Sequence, residues 1–583
     1  AGAVCHAGGA PVSQPALVRR REVPADGISA TDVHPLLARI YAARGIKTID
    51  ELERGLAALD KPAALGGLVE AVDLLVAARA QSWRVLVVGD FDADGATSCA
   101  VALLGLKALG IHDVSYLVPN RFEFGYGLTP EIVALARERE PDLLVTVDNG
   151  IASVDGVEVA RAAGMRVIIT DHHLPGTTLP RADAIVNPNQ PGDAFPSKNL
   201  AGVGVMFYVL LALRARLRGD GAWGERESIP NLATLLDLVA LGTVADVVRL
   251  DSNNRILVHQ GLARIRQGHM RPGLKALLRI AGRDARTATA ADLAFAAGPR
   301  LNAAGRLDDM SLGIECLLAE EDHVADAMAA ELDTLNQARR EIEADMRSQA
   351  EEAVRKLSLG SGVPAGVCLF DADWHQGVVG IVASRIKDAL HRPVIAFARE
   401  SEHSLKGSAR SIPGVHIRDV LDTVATRNPG LIPRFGGHAM AAGLALDVGR
   451  LDEFRAAFAE QVAAQLEADT LERVLWTDGE IPTERLNLRL AELIRDAGPW
   501  GQGFPEPVFE GEFKVLDQRI VGSNHLKLKL AAENRTGMLD AIAFNYGRDV
   551  CPSQTVRLAY RLDINQYRGT RSLQLLVDQV EPC

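Results

Sequence analysis

Short apolar runs of the kind that form buried strands recur through the first half of the chain. Residues 85–88, 143–147 and 167–170 are such runs, and helix-like segments lie between them. Uninterrupted apolar runs of this length are typical of strands that are covered on both faces of a parallel sheet. Their alternation with helical segments indicates βαβ units. The sequence therefore predicts an α/β domain over residues 65–250, with a buried helix over residues 232–244.

The pattern changes twice further along the chain. Residues 320–357 contain no Pro or Gly and are rich in Ala, Glu, Arg and Gln, which predicts one long exposed helix that separates domains. An apolar run over residues 366–370 and a helix that begins near Ile381 then predict a second α/β domain. From Trp476 five short apolar segments alternate with turn residues, which predicts a closed barrel of the OB type. The predicted strands of this barrel are 511–515, 526–530, 537–544, 555–562 and 573–580.

The predicted fold class is therefore α/β, with a parallel-sheet domain, a long connecting helix, a second α/β domain and a terminal β-barrel. The residues ahead of the first apolar run bear Pro and Gly at first, are mildly helical afterwards, and predict little. The predicted division is 1–64 for an N-terminal segment, 65–250 for the first α/β domain, 251–319 for a helical connector, 320–357 for the long helix, 358–468 for the second α/β domain and 469–583 for the barrel domain.

Acidic or imidazole side chains follow each predicted strand of the first domain and its buried helix. An aspartate after a strand is more often a turn former or a helix N-cap than a ligand. Three consecutive strands that end in aspartate, one of them with a tandem His pair, are harder to explain by capping. The carboxyl ends of parallel strands lie at one edge of the sheet, where open α/β folds place their ligands. The side chains concerned are Asp90, Asp92, Asp94, Asp148, His172 and Asp246.

These side chains predict a divided metal site. Asp90, Asp92 and Asp94 lie within five residues and would repel one another strongly unless cations neutralise them. Hard carboxylate oxygens with a single imidazole favour Mn²⁺ or Mg²⁺, whereas zinc would favour thiolates or more histidines. The sequence therefore predicts Mn²⁺ or Mg²⁺ as the cofactor, with two ions in one site.

Composition and charge restrict the class of protein without selecting one. The formal net charge of −12 argues against a general polyanion binder, although a local basic groove stays open because much of the acidity lies in the metal site and in charged helices. No apolar run is long enough to predict a membrane span, and residues 1–21 lack the pattern of a secretory signal. Six cysteines without CxxC pairing favour reduced thiols. A cytoplasmic location is expected.

Several motifs together carry a resemblance to a known family. In chain order they are Gly89-Asp90-Phe91-Asp92-Ala93-Asp94-Gly95, Val147-Asp148-Asn149-Gly150, Asp171-His172-His173, Gly242-Thr243-Val244-Ala245-Asp246, and Gly436-Gly437-His438 with Ala441-Ala442-Gly443. They resemble the DHH phosphoesterase superfamily, which is named for its Asp-His-His motif. Over about residues 50–583 the chain is similar to the RecJ family of single-strand-specific 5′→3′ DNA exonucleases. The resemblance implies a DHH catalytic domain, a DHHA1-like second domain and an OB-like domain that binds nucleic acid. Phe91 stands where Tyr is also common.

The motif residues predict how two cations are held. Asp148 offers two carboxylate oxygens and is the best candidate to bridge both ions. The other predicted ligands are Asp92 with Asp90 for one ion, and Asp94, His172 and Asp246 for the second. His173 is expected to orient the site or touch the phosphate, while Asn149 and Asp171 support the ligands. The predicted catalytic residues are Asp92, Asp94, Asp148, His172, His173 and Asp246.

Polar residues outside these motifs are predicted to bind the substrate. Ser408 and Arg410 lie in a turn-like segment, and the resemblance implies that they grip nucleic-acid phosphate. Arg121 and Arg306 lie in polar segments, predicted to be loops, whose composition alone would suit ordinary surface. By resemblance, the predicted pocket for a 5′-phosphate contains Arg121, Arg306, Ser408 and Arg410, with Arg300 as a neighbour.

Two histidines and one face of the barrel are further candidates for substrate contact. His375 and His438 could reach the substrate, although a structural role is equally open for each. On the barrel, strand alternation places one imidazole and two lysines on the same face, which any half-buried strand would also show. These residues are His525, Lys527 and Lys529, and the nearby residues predicted to stack on bases or contact the backbone are Tyr560, Arg561, Tyr567 and Arg568.

The predicted function is single-strand-specific 5′→3′ DNA exonuclease activity in recombination and repair, with release of 5′-mononucleotides. The alternative is a phosphodiesterase of short oligonucleotides or cyclic dinucleotides, against which the barrel argues. A non-catalytic DNA-binding relative would be expected to lose metal ligands, and a manganese pyrophosphatase to begin its first motif with histidine. Single-stranded DNA is the predicted partner of a monomer. The family's repair role also implies a single-strand-binding protein and a RecQ-type helicase, and no membrane is expected.

Overall fold

The architecture comes from a computed structural model of the chain. It describes residues 16–28, 33–120, 124, 127–224, 228–360, 363–466, 471–522, 524–531, 537–544, 546, 555–567 and 569–582. These residues divide into two compact units. The first unit comprises the described parts of Val23–Gln337 and Leu493–Glu506, and the second those of Ala1–Glu22, Ala338–Glu492 and Pro507–Cys583.

The strands of the described residues are numbered in chain order. They are β1 Leu17–Arg20, β2 Val85–Gly89, β3 Val114–Leu117, β4 Leu143–Val147, β5 Arg166–Thr170, β6 Ala184–Val186, β7 Val367–Phe370, β8 Val394–Arg399, β9 Ser404–Arg410, β10 Arg434–Gly437, β11 Ala441–Asp447, β12 Val474–Thr477, β13 Phe509–Val521, β14 His525–Ala531, β15 Leu539–Ala543, β16 Thr555–Tyr567 and β17 Thr570–Pro582.

The α-helices are numbered in the same way. They are α1 Pro35–Ala42, α2 Leu68–Gln81, α3 Ala93–Ala108, α4 Pro130–Arg137, α5 Val154–Ala162, α6 Gly202–Gly219, α7 Leu236–Ala245, α8 Ser252–Arg266, α9 Pro272–Ile280, α10 Ala290–Asp292, α11 Gly298–Leu307, α12 Ser311–Leu318, α13 Asp322–Gly360, α14 Val379–Leu390, α15 Ile417–Arg427, α16 Leu451–Gln465 and α17 Leu488–Ala497. A π-helical segment, Leu293–Ala297, joins α10 to α11.

The sheet of the first unit has five parallel strands in the order β3-β2-β4-β5-β6. Every residue of β2 and β4 is buried, which confirms the prediction of a parallel sheet whose central strands are covered on both faces. In register, Gly89 pairs with Val147, and Val147 pairs with Thr170. The three central strands therefore end level with one another, so the residues that follow them meet at one edge of the sheet.

Helix α3 begins earlier than the sequence pattern suggests. Its apolar segment predicts a helix from Cys99, but the structure starts it at Ala93. The difference arises because Asp92 caps the helix, which places the acidic motif in the first turn rather than in a loop.

Helix α13 confirms the predicted long helix, with 39 residues. The prediction that this helix is exposed holds for only part of its surface, because one stripe of small and aliphatic side chains is buried. The buried residues are Ala325, Ala329, Leu332, Met346, Ala350 and Val354. The boundary between the two units falls inside this helix, after Gln337.

The second unit contains the other α/β sheet and the barrel. The sheet has the order β10-β11-β9-β8-β7, with β7 and β8 parallel and the other neighbours antiparallel. Strands β13, β14, β15, β17 and β16 close into a barrel, as predicted. β1 pairs in parallel with β12. The predicted turn over Ser408 and Arg410 is instead part of strand β9, which lies between β8 and β11.

Two predictions from composition concern cysteines and membrane spans. Cys99, Cys316 and Cys368 are buried free thiols, and the other cysteines lie outside the described residues. Among the helices of the described residues, none combines the length and apolar character that crossing a bilayer requires.

Candidate metal centre and phosphate-binding cluster

The turn from β2 into α3 presents three carboxylates. Asp90 accepts the Phe91 N–H through Oδ1 at 2.7 Å. Asp92 caps α3, since its Oδ1 accepts the N–H groups of Asp94 at 2.9 Å and Gly95 at 3.0 Å. Asp92 therefore does cap a helix, as is expected of a lone aspartate after a strand. It also lies with the other acidic groups at the edge of the sheet.

Asp94 is held by the beginning of α6. Its Oδ2 accepts the Gly202 N–H at 2.6 Å and its Oδ1 accepts the Val203 N–H at 3.0 Å. Burial, and then the charge of Asp92, raises the pKa of Asp94 to about 7. Each oxygen keeps a lone pair beyond its backbone bond. Only glycine fits at position 202, because a Cβ there would lie 2.6 Å from the Cβ of Asp148.

Asp148 occupies a strained backbone position directly after β4. Its φ of 63° lies in the left-handed region, which is uncommon for residues other than glycine and which aspartate tolerates better than most. Asn149 fixes this turn, because its Nδ2 donates to the carbonyls of Val88 at 3.1 Å and Val147 at 2.9 Å. Asn149 thereby ties the ends of β2 and β4 together. Burial, and then the charge of Asp94, raises the pKa of Asp148 well above its ordinary value.

Asp171 organises the two histidines that follow β5. Its Oδ1 accepts the backbone N–H groups of His172 at 2.7 Å and His173 at 3.1 Å, and lies 2.8 Å from His173 Nδ1. Its Oδ2 accepts the Ile151 N–H at 2.9 Å. Burial alone would raise the pKa of Asp171, but the hydrogen bond and charge of His173 lower it. Burial alone would lower the pKa of His173, but Asp171 raises it to about 9.

The ring of His172 lies between two carboxylates. Its Nε2 is 3.1 Å from Asp148 Oδ1 and 3.5 Å from Asp246 Oδ2. Asp246 directly follows α7 as its C-cap, so a helix rather than a strand positions this carboxylate. Burial, and then the charge of Asp94, raises the pKa of Asp246 well above its ordinary value. The His172 ring therefore lies next to two carboxylates, Asp148 and Asp246, that come from segments distant from each other in the sequence.

These side chains form the carboxylate cluster, defined as Asp90, Asp92, Asp94, Asp148, His172 and Asp246. Groups whose ligand atoms all lie within 4.8 Å of one another are Asp90 with Asp92 and Asp148, Asp94 with His172 and Asp246, and Asp148 with His172 and His173. Buried carboxylates that raise one another's pKa make a site for positive charge. Oxygen ligands with an imidazole fit Mn²⁺ or Mg²⁺. The first group contains the three ligands predicted for one ion, and the second contains those predicted for the other ion except the bridging Asp148, so the assignment of individual ligands stays a prediction.

The segment that carries Arg306 is a helix, α11, and not the predicted loop. Pro299 in its first turn favours this helix, since its missing N–H is not needed there. Arg300 is partly buried and has partners within its own unit, because it donates to the Ala296 carbonyl at 2.7 Å and pairs with Asp333 at 2.7 Å. Arg306 is half-buried in the last turn of α11. Arg121 lies outside the described residues, so its predicted contact stays a prediction.

Asn302 is a residue of the site that the sequence prediction missed. Its Oδ1 accepts the Ala93 N–H at 2.8 Å, and so holds the acidic turn from a position 209 residues away. Nearby, a Cβ at Gly305 would lie 1.8 Å from the Phe91 carbonyl oxygen, so α11 packs directly on the turn. No local pattern distinguishes Asn302, because its function depends on a contact made only after folding.

Ser408 and Arg410 lie together with Gly380, and these three residues are called the donor cluster. Arg410 Nη1 donates to Ser408 Oγ at 3.0 Å and to the Ala409 carbonyl at 2.8 Å. A Cβ at Gly380 would lie 2.9 Å from both Ser408 Oγ and Arg410 Nη2, so the absent side chain is what leaves room for them. Burial lowers the pKa of Arg410, and within the described part of the chain no carboxylate offsets this effect. Gly380 lies in the first turn of α14, where backbone N–H groups also favour an anion.

The two predicted substrate histidines lie in the same unit as the donor cluster. His375 precedes α14, and its Nδ1 accepts the Gly377 N–H at 3.1 Å. His438 is exposed in the turn between β10 and β11, and its N–H donates to the Ala441 carbonyl at 2.8 Å. Ala441 of β11 pairs with Arg410 of β9. The turn that contains His438 therefore lies next to the end of β9, the strand that carries Ser408 and Arg410. Substrate contact by either histidine stays a prediction.

The barrel supports one face prediction and corrects one residue. In β14, Leu526, Leu528 and Leu530 are buried, so the alternate residues His525, Lys527 and Lys529 lie on the outer side as expected. Tyr560 was predicted to be available for stacking on bases, and this is wrong.

Tyr560 is fully buried in the barrel core. Its ring centroid lies 5.6 Å from that of Phe513 and 6.2 Å from that of Phe509. Arg561, the next residue, pairs with Asp578 at 2.9 Å. The side chain of Tyr567 and all of Arg568 lie outside what the structure describes.

The fold and the carboxylate cluster define a class of protein. The DHH family N-terminal domain matches residues 84–243, the DHHA1 domain matches residues 362–464, and the RecJ OB domain matches residues 477–579. The molecule is therefore a DHH phosphoesterase with a DHHA1 domain and an OB domain. The three matched ranges lie inside the three corresponding predicted domains, whose outer boundaries stay predictions.

Full-length relatives narrow the class to one family. Proteins named single-stranded-DNA-specific exonuclease RecJ from Dickeya dadantii and Escherichia coli are 54% and 52% identical to the chain over 568 and 570 residues, covering 97% of it and 99% of each relative. The crystal structure of RecJ from Thermus thermophilus in complex with Mn²⁺ aligns with a TM-score of 0.78 and 32% identity, over 95% of this chain and 77% of that one. The chain belongs to the RecJ family.

Proposed function

We propose that the chain is a metal-dependent, single-strand-specific DNA exonuclease that acts from the 5′ end and releases 5′-mononucleotides. Membership of the RecJ family supports the single-strand specificity and a role in recombination and repair. The observation that carries the proposal is that four separate segments of sequence supply the ligand atoms of three groups, and within each group these atoms lie within 4.8 Å of one another. The direction of digestion rests on the family resemblance, and labelled strands test it directly.

The residues of the cluster have separate tasks in this proposal. Two divalent cations, when bound, would supply a water of lowered pKa and neutralise charge on the scissile phosphate. Asp148 belongs to two of the ligand groups and is proposed to be shared between them. Asp171 orients both histidines through its hydrogen bonds. His173 is proposed to contact the phosphate through Nε2, since Nδ1 faces Asp171.

The donor cluster is proposed to bind a phosphate of the strand. Ser408 offers a hydroxyl, Arg410 offers a guanidinium without an offsetting carboxylate in the described part of the chain, and α14 offers its first N–H groups. Arg306 and Arg121 are proposed as further phosphate contacts. The outer side of β14 is proposed to contact the nucleic-acid backbone through Lys527 and Lys529.

The alternative activity would use the same carboxylates. A phosphodiesterase of short oligonucleotides or cyclic dinucleotides needs no barrel, so the RecJ OB domain over residues 477–579 favours the longer substrate. A single-strand-binding protein and a RecQ-type helicase as protein partners, and a monomeric state, stay predictions.

The test compares identical oligonucleotides labelled at the 5′ end or at the 3′ end, single-stranded or as blunt duplexes, in the presence of Mn²⁺. We expect labelled mononucleotide to appear first from the 5′-labelled single strand, with slow or no release from the duplex. First release from the 3′ label, or digestion confined to dinucleotides, would overturn the proposal.

Digestion by a variant with one altered ligand tests whether the activity comes from this site or from a contaminating nuclease. Asp246→Asn keeps the shape of the side chain and removes its charge, so it should abolish release from both labels. The matched control is Asp155→Asn, which changes an exposed carboxylate on α5 and should digest at the wild-type rate. Equal activity of both variants would contradict the assignment.

A further inference from the structure

The segment between β6 and α6 holds the backbone of the DHH motif. Asn189 Nδ2 donates to the His172 carbonyl at 2.6 Å, and Asn187 Nδ2 donates to the His173 carbonyl at 2.9 Å. The two asparagines are linked, because the Asn189 N–H donates to Asn187 Oδ1 at 2.7 Å. Asn187 is fully buried. Both histidine carbonyls are therefore fixed by side chains outside the motif.

The far end of the same segment is fixed to the beginning of α8. Ser197 Oγ donates to Asp251 Oδ2 at 2.7 Å, and Asn199 Nδ2 donates to the same oxygen at 3.0 Å. Asp251 caps α8 and lies five residues after Asp246. In the middle, Asn189 Nδ2 also reaches the Lys198 carbonyl at 3.2 Å, which closes the segment on itself. We call residues 187–199 the brace.

The brace connects two ligands that must keep a fixed separation. His172 Nε2 lies 3.5 Å from Asp246 Oδ2, yet the two residues come from different elements, β5 and α7. The ring reaches this position from a backbone whose carbonyl Asn189 holds. Loss of that hydrogen bond leaves the peptide between His172 and His173 held only through the His173 N–H, which donates to Asp171 Oδ1 at 3.1 Å, and so lets the His172 ring shift relative to Asp246. Residues that orient a ligand in this way typically change metal affinity about 10- to 100-fold when removed.

We infer that Asn189 is a positioning residue for the cation group formed by Asp94, His172 and Asp246, and that the brace sets the affinity of this group. The other group, Asp90 with Asp92 and Asp148, contains no histidine and keeps its affinity when Asn189 changes. The inference rests on the ligand assignment of the proposed function and adds to it the part of the chain that tunes one of its two cation positions.

The experiment measures Mn²⁺ binding to the full-length protein by the electron paramagnetic resonance signal of free Mn²⁺, without substrate. Asn189→Leu keeps the branching and the number of heavy atoms of the side chain and removes both donated bonds. We expect two Mn²⁺ per chain for the wild type, and for the variant an affinity about tenfold weaker at one position and unchanged at the other. Raising Mn²⁺ should then restore kcat, because the chemistry of the filled site is intact.

The matched control is Gln190→Leu. Gln190 is the next residue of the brace and donates to the Gly66 and Ile185 carbonyls at 3.3 and 3.1 Å, which lie outside the DHH motif. The Gln190→Leu variant should bind both ions as the wild type does. Equal weakening by both variants would show a general loosening of the segment and overturn the inference, as would wild-type binding by Asn189→Leu. If that variant does not fold, as judged by circular dichroism, Asn189→Ala replaces it with the same expectation.

One further result would contradict the proposed function rather than the role of Asn189. A wild-type protein that binds fewer than two Mn²⁺ would contradict the two-ion ligand assignment itself. Two bound ions together with unaltered binding by both variants would leave that assignment intact and reject only the role of Asn189.

Discussion

The chain contains two sheets, one in each unit, that gather charged side chains of opposite sign. In the first unit, the ends of β2, β4 and β5 gather carboxylates. In the second unit, β9 and the first turn of α14 gather a serine, an arginine and backbone N–H groups. Both sets depend on the same geometry, in which a strand end or strand edge meets the start of a helix. The side chains placed there are acidic in the first case and basic or neutral donors in the second, which is why one cluster is proposed to bind cations and the other a phosphate.

The two clusters also differ in how far their own charges are balanced. Burial and mutual repulsion raise the pKa of Asp94, Asp148 and Asp246. The charged carboxylate cluster therefore destabilises the folded protein when no cation is bound. Arg410 is a single cation, and burial alone lowers its pKa. We therefore expect changes in the carboxylate cluster to act on catalysis and metal-free stability, and changes in the donor cluster to act on substrate binding.

The largest expected effect comes from removing the shared carboxylate. Asp148→Asn should reduce kcat about 1000-fold or more with saturating Mn²⁺, because it withdraws charge from two ligand groups at once. Steady-state digestion of a single-stranded oligonucleotide measures this, with Asp155→Asn as the control. More than a few per cent of residual kcat would contradict the shared role.

A smaller effect, on KM rather than kcat, is expected in the donor cluster. Arg410→Gln should raise KM about tenfold, since it removes one charged phosphate contact, and should reduce the salt dependence of binding by about one unit of slope. Gly380→Ala should act in the same direction, because its Cβ would lie 2.9 Å from both Ser408 Oγ and Arg410 Nη2.

The control for the donor cluster is Arg399→Gln, which alters an exposed arginine at the end of β8. A fall in kcat with unchanged KM for Arg410→Gln would break the proposed division of roles between the two clusters.

A further difference between the clusters concerns stability in the absence of metal. A carboxyl group whose pKa is raised by folding destabilises the folded state when it is charged, so stability is lost as pH rises above the ordinary carboxyl pKa. Asp148→Asn removes that cost and should raise the Tm in EDTA at pH 7 by about 2 to 4 °C. The gain should vanish only below about pH 3, where the carboxyl is protonated in the unfolded state as well as in the folded state. A lower Tm for the variant at pH 7 would contradict the repulsion argument.

The smallest effect is expected in the barrel and distinguishes its core from its surface. Tyr560→Phe should leave single-strand binding within about twofold of the wild type, because the ring is buried and cannot stack on a base. Lys527→Ala, on the outer side of β14, should weaken binding several-fold at low salt. Fluorescence anisotropy with a labelled oligonucleotide measures both, and a larger loss for Tyr560→Phe would mean that this tyrosine does contribute to strand binding.

Much of the fold follows from local patterns in the sequence. The apolar runs that predict β2, β4 and β5 agree with the structure to within a residue or two, because a strand buried on both faces has few alternatives to a continuous apolar segment. Local patterns failed where packing overrode composition. The polar segment with Arg306 forms helix α11 against the acidic turn, and the Ser408 segment became a strand between two neighbours.

The sequence by itself determined which side chains follow each strand and that their oxygen-rich chemistry suits hard cations. Tertiary structure decided which of them meet, because His172 Nε2 lies 3.1 Å from Asp148 and 3.5 Å from Asp246 only when β4, β5 and α7 are packed together. It also decided the roles of Asn302 and Asn189, which hold the acidic turn and the His172 backbone. The physical reason is that residue type and spacing record local conformation. A hydrogen bond between distant segments depends on register and packing across the whole domain.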